Sequence, residues 1–144
     1  MKIVINECYG GFSLSAKGIK RYFKLKGQSV CFYKQTKFKS RDGVEVFSRI
    51  EADDAKGWFY SSLTDEGETL SSAPKNVFYS GTIDRRDPTL IQVVEEMGLE
   101  CWGDCARLSV VDIEPGTYYK IDVYDGYESI KVFYFDKNEW ELAE

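Results

Sequence analysis

The sequence contains no histidine, and this absence removes a set of chemistries at once. A Ser-His-Asp or Cys-His nucleophile needs an imidazole to take and return its proton, and no other unperturbed side chain titrates between roughly pH 5 and 8. Carboxylate chemistry and phosphoryl transfer survive this test, so an enzyme is disfavoured without being excluded. Cysteine is also scarce, with only Cys8, Cys31, Cys101 and Cys105. Cys101 and Cys105 alone lie close together, and no histidine completes a ligand set. Four reduced thiols in core or loop positions are therefore expected in preference to a zinc site. Long apolar runs are missing as well. No stretch approaches the roughly 20 residues that span a bilayer, and Met1 to Asn6 leads into a strand-like pattern rather than a secretory signal. These absences predict a cytoplasmic chain with no membrane partner and no cofactor.

What is present describes a globular chain. At 144 residues, 43% hydrophobic and 30% charged, it has the size and composition of one domain with a sizeable core. Its 22 aromatic residues exceed what a lean core needs, which predicts that some stack on a ligand or pack on a second subunit. Charge is unevenly distributed. Residues 1–49 carry 11 Lys and Arg against Glu7, Asp42 and Glu45, a balance of +8, while residues 50–144 carry the other 8 against 21 acids, a balance of −13; together they give the net −5. Such asymmetry suits an anionic ligand near the first half, contacts between subunits, or simple neutralisation within the chain.

The pattern along the chain predicts an α+β fold: one domain over residues 1–144, mainly antiparallel β-sheet with two amphipathic helices. Lys2 to Asn6 reads as a strand, and Cys8 to Ser13 turns it into a helix capped by Ser13 or Ser15 and stopped at Gly27. Ile19, Tyr22, Phe23 and the stem of Lys26 share one face of that helix, and Lys17, Lys20, Arg21 and Lys24 form a basic stripe opposite. Further strands are expected at Ser29 to Tyr33, at Val44 to Ile50 after an Arg41-Asp42-Gly43 turn, at Trp58 to Leu63 and at Val77 to Ser80. The polar stretch Thr64 to Lys75 reads as a mobile loop. A second helix has Asp87 as cap, Pro88 at its first position, Leu90, Ile91, Val94 and Met97 on its apolar face, and Gly98 as its stop. The last third reads as strands at Arg107 to Ile113, Tyr118 to Val123 and Glu128 to Phe135, with turns at Pro115-Gly116 and Asp125-Gly126. The acidic tail 136–144 is expected to be loosely ordered unless Trp140 docks it.

Three constellations bear on chemistry. Gly10-Gly11 at a strand-to-helix turn lets a backbone approach a ligand, although the spacing is neither a dinucleotide fingerprint nor a phosphate-binding loop. Arg85 and Arg86 precede a helix start, where cations are unfavourable without a counter-charge; either the adjacent Asp84 and Asp87 supply it or a ligand's phosphate does. The ligand reading is preferred, with Thr89 among the backbone groups that would orient the phosphate. If the basic stripe reaches the same place, Lys20 and Arg21 join the site, and Tyr9, Phe12, Phe78 or Tyr79 can stack a base. Scattered pairs such as Asp53-Asp54 and Glu95-Glu96 have no glycosidase or metal spacing. A sequence pI near 4.9 argues against duplex nucleic acid as a partner.

The blocks Met1 to Ser15, Arg86 to Gly98 and Tyr124 to Glu128, in this order, resemble small proteins of phages and prophages. The chain is similar to the Thoeris anti-defence 1 proteins of phages, which trap cyclic ADP-ribose-type signals and, in some members, cyclic oligonucleotides. That resemblance implies a non-catalytic sponge for a small cyclic nucleotide, acting as a homo-oligomer in the cytoplasm of an infected bacterium. The rival expectation is an acidic inhibitor that docks on a basic host defence enzyme.

Overall fold

The computed structural model describes residues 1–38, 43–133 and 140–144. The elements run β1 (Lys2–Asn6), α1 (Ala16–Leu25), β2 (Cys31–Lys37), β3 (Val46–Ile50), β4 (Tyr60–Ser62), β5 (Thr69–Leu70), β6 (Val77–Phe78), α2 (Pro88–Met97), β7 (Leu108–Asp112), β8 (Tyr118–Tyr124), β9 (Tyr127–Phe133) and β10 (Glu141–Leu142). Among the described residues all strand pairing is antiparallel and falls into three sheets: β1-β7, β10-β8-β9 and β5-β3-β2-β4-β6. The α+β class with two helices is as expected. No helix among the described residues is long and apolar enough to cross a membrane.

Local chemistry accounts for both helices. Ser15, in extended conformation, accepts the Gly18 N–H on its hydroxyl at 3.1 Å. At the other end Gly27 takes φ +72°, its N–H donates to the Lys24 carbonyl, and the Gln28 N–H donates to Phe23. That left-handed closure is easy only for glycine. Asp87 caps α2 by accepting the Thr89 N–H at 2.8 Å, with Pro88 at the first helical position. The buried face of α2 is Leu90, Val93 and Val94; Ile91 and Met97 are only half-buried. The helix is rotated from the expected Leu90–Ile91–Val94–Met97 face because Val93 takes the centre of the core.

β1 is buried on both sides and joins two cores. Val4 belongs to the larger core, with Leu14, Ile19, Phe23, Phe32, Leu90, Val93 and Leu108. Its neighbour Ile3 points the other way, into a small core with Ile113, Tyr119 and Ala143. Alternation along a strand makes this possible, because successive side chains leave on opposite faces.

Strand ends differ from expectation in several places. β2 starts later and runs further than Ser29–Tyr33, β4 and β6 are shorter than their apolar runs, and Ser80–Thr82 forms a single 3-10 turn. Thr64 to Lys75 is not a bare loop. β5 pairs with β3, and the Glu66 carboxylate accepts the Lys75 N–H (2.8 Å), the Asn76 N–H (3.4 Å) and the Ser62 hydroxyl (2.7 Å). The end of the acidic tail is likewise ordered: β10 pairs with β8 and Ala143 is buried. Backbone pairing anchors it where its charge alone suggested a free end. The expected turn residues Arg41 and Asp42, the strand end at Tyr134 and Phe135, and tail residues 136–139 lie outside the described residues.

Candidate functional site

Two of the blocks that carry the resemblance, Met1 to Ser15 and Tyr124 to Glu128, meet in space. Asn6, fully buried at the end of β1, donates from its amide nitrogen to the carbonyls of Cys8 (2.8 Å) and Gly126 (2.9 Å) and accepts the Arg107 N–H (2.9 Å). Its own N–H donates to Glu128 at 2.7 Å. Gly10 and Gly11 lie against the tip of the β8–β9 hairpin: the Gly10 N–H donates to Asp125, and a Cβ on Gly126 would fall 2.4 Å from the Gly11 nitrogen. The two glycines thus admit a second stretch of the same chain. Tyr9 rests on Tyr127, with ring centroids 5.3 Å apart.

Arg85 and Arg86 diverge. The Arg85 guanidinium lies 3.7 Å over the Phe12 ring and donates to Glu128 at 2.5 Å, with the two side chains 18% and 8% exposed. Its carbonyl accepts the Val4 N–H. Arg85 therefore braces β1 and β9, in place of the expected joint grip on a guest. Arg86 turns outward. Its backbone N–H donates to the Asp84 carboxylate at 2.8 Å, and among the described residues its guanidinium donates to both Asp84 oxygens at 3.4 and 3.5 Å and lies 3.7 Å from Glu141. The Arg86 backbone N–H, followed by its guanidinium, holds the Asp84 carboxyl below the usual carboxylate range.

Beside Arg86 opens a cavity of about 350 Å³ lined by Ile3, Asp84, Arg85, Arg86, Tyr119, Lys120, Ile121 and Glu141. The Tyr119 hydroxyl donates to Glu141 at 2.6 Å. Burial, together with that carboxylate, pushes the Tyr119 phenol up to about 12. The Lys120 ammonium lies 5.5 Å from the centre of the Trp140 ring. Cations, carboxylates and apolar side chains thus meet in one recess, suited to a ligand that is partly anionic and partly flat and apolar.

The other expected site residues are elsewhere. Arg21 pairs with Glu96 at 3.1 Å across the two helices, and Lys20 is exposed on α1; neither lines the cavity. The α2 start is already filled by Asp87, which also accepts the Tyr22 hydroxyl (2.6 Å) and lies 3.4 Å from the Lys26 ammonium. Burial raises the Asp87 carboxyl, but the Tyr22 hydroxyl, the Thr89 N–H and Lys26 outweigh it and hold the group below its usual range. Thr89 serves that cap. Phe78 packs in the core against Phe23, ring centroids 4.8 Å apart, and Tyr79 is exposed. Tyr119, Ile121 and Glu141 were not legible as site residues, because only the pairing of β10 with β8 brings them opposite the Asp84–Arg86 turn.

The four cysteines are free thiols. Cys101 is buried, which pushes its thiol up to about 11, and Cys105 is exposed. Comparisons of the chain with family models, with curated proteins and with solved structures return no match.

Proposed function

We propose that this protein captures a small phosphate-bearing nucleotide in the Arg86 cavity and holds it without cleaving it. The single observation that carries the reading is the state of Arg86. Its guanidinium opens on a recess of ligand size, and its contacts among the described residues are long, 3.4 and 3.5 Å to Asp84 and 3.7 Å to Glu141, so a phosphate offering two oxygens at closer distance would replace weaker partners with stronger ones. Tyr119, Ile121 and Ile3 supply an apolar wall for a base, and Asp84 and Glu141 are acceptors for hydroxyl or amino groups. The resemblance to phage anti-defence sponges narrows the ligand to a cyclic nucleotide signal of the host. Holding rather than cleaving fits a site without an imidazole, built on a turn braced from behind by Arg85.

The test is retention. Purified protein is incubated with cyclic ADP-ribose, a cyclic dinucleotide and 3′,5′-cyclic AMP, repurified, denatured, and the released small molecules are weighed by mass spectrometry. The expected result is intact ligand from the wild type and none from Arg86→Ala. Cleaved ligand would make the protein an enzyme, and equal retention by Arg86→Ala would move the site elsewhere. Failure to retain any of the three overturns the reading.

A further inference from the structure

Arg86 lies between two carboxylates that are held in different ways. Asp84 is tied to the turn itself, since its Oδ1 accepts the Arg86 backbone N–H at 2.8 Å, and it cannot swing aside without breaking that bond. Glu141 arrives from β10. One of its oxygens, Oε2, accepts the Tyr119 hydroxyl at 2.6 Å and lies 3.7 Å from the Arg86 guanidinium. A phenol and a guanidinium therefore converge on a single carboxylate oxygen in the wall of the cavity. The two donors also act on each other: burial and Glu141 raise the Tyr119 phenol, and Arg86 pulls against that rise.

These parts differ in their freedom to move. Tyr119 is 1% exposed and packs with Ile3, Ile113 and Ala143, which fixes its hydroxyl. The β10 backbone is fixed too, because the Ala143 N–H donates to the Thr117 carbonyl and the Ala143 carbonyl accepts the Gly116 N–H. The Glu141 side chain is 61% exposed. Among the described residues only Tyr119 and Arg86 hold its carboxylate. It is the one group of the four that can leave while the turn and the sheet stay in place.

We propose that the Tyr119 hydroxyl and the Arg86 guanidinium form one anion subsite, and that Glu141 covers it as a built-in competitor which withdraws when a ligand phosphate takes its place. The inference deepens the nucleotide reading and rests on it for the ligand. A phosphate oxygen in the place of Oε2 accepts from both donors at once, and the carboxylate that yields is then available to a ligand hydroxyl. A side chain that covers the subsite lowers the apparent affinity of every anion by the fraction of the time it is there. A small anion has nothing to offset that loss, whereas a nucleotide that also covers Ile3 and Ile121 does. The competitor thus selects for ligands with an apolar part.

NMR titration with inorganic phosphate tests the exchange. Glu141→Gln keeps an acceptor for the Tyr119 hydroxyl and removes the charge. It is expected to bind phosphate roughly ten-fold more tightly than the wild type, the scale of one repulsion between like charges about 4 Å apart near a protein surface. Adding Tyr119→Phe or Arg86→Ala to it should reverse the gain. Equal or weaker binding by Glu141→Gln overturns the proposal, as does a gain that survives loss of the Tyr119 hydroxyl. Should Glu141→Gln fail to fold, the wild type decides: its Glu141 carboxyl resonance is expected to move as phosphate is added, and one that stays put at saturation overturns the exchange. The nucleotide reading fails separately. A gain in phosphate affinity with no nucleotide retained rejects that reading and keeps the subsite, and nucleotide retention that depends on Arg86 without any gain from Glu141→Gln does the reverse.

Discussion

Replacing Arg85 removes the cation from a pair nearly sealed from water, leaving Glu128 buried and charged beside the Asn6 N–H. Breaking a buried pair on one side costs about 3–5 kcal/mol, because the abandoned charge keeps its desolvation penalty. Arg86 is a different case: its side chain is 40% exposed and its partner Asp84 61%, and substitutions at such positions stay within about 0.5 kcal/mol. Urea unfolding is therefore expected to show a large loss for Arg85→Ala and almost none for Arg86→Ala. Equal losses would mean that the buried pair is not what braces β1 against β9. Sequence alone treats the two arginines as one motif. What separates them is an acid 43 positions away, and no local pattern encodes that.

At the scale of elements, the closest fit is hairpin tip against glycine turn. Gly126 has φ +84°, and a Cβ there would also lie 2.9 Å from the Gly10 nitrogen. Gly126→Ala must both strain the turn and push the hairpin off the Gly10-Gly11 backbone. A loss above about 1 kcal/mol is expected from the backbone conformation alone, with added broadening of the Tyr9 and Tyr127 resonances in NMR spectra. An unchanged urea midpoint would show that the contact contributes nothing. The elements themselves were largely legible, since each carries its own signal: Ser15 and Gly27 bracket α1, Asp87-Pro88 and Gly98 bracket α2, and Asp125-Gly126 fixes the hairpin. Their partners were not legible. In sequence Gly10-Gly11 reads as a tight turn or as a ligand cradle, and only the tertiary packing shows that it admits the hairpin tip. Glu66 gave no sign in the sequence that it would anchor Thr64 to Lys75, because two of its three donors are backbone N–H groups, which every loop possesses.

For the whole molecule, the uneven charge is largely internal complementarity. Lys2 pairs with Glu95, Lys17 with Asp53, Arg21 with Glu96, Lys26 with Asp87 and Arg49 with Asp65, each joining a base of residues 1–49 to an acid of residues 50–144. Exposed pairs of this kind contribute little individually, so pH dependence is set by the groups the fold holds away from their ordinary values. Glu66, through the Lys75 N–H first and then the Ser62 hydroxyl, is held low, and so are Asp84 and Asp87. A carboxyl depressed in the folded state stabilises it above the unfolded value of about 4, and that contribution fades as pH falls through the folded value. Tyr119 works in the opposite sense. Raised to about 12 from about 10 in the unfolded chain, it contributes fully below pH of about 10 and loses this as pH climbs towards its folded value. With no histidine, no imidazole titrates in the middle. The urea midpoint is expected to be flat from roughly pH 5.5 to 8 and to fall on both sides. Glu66→Gln should shallow the acid limb and Tyr119→Phe the alkaline one, each leaving the other limb in place. A midpoint that changes steeply near pH 6.5 would contradict this, because the described groups that the fold shifts lie on either side of that range.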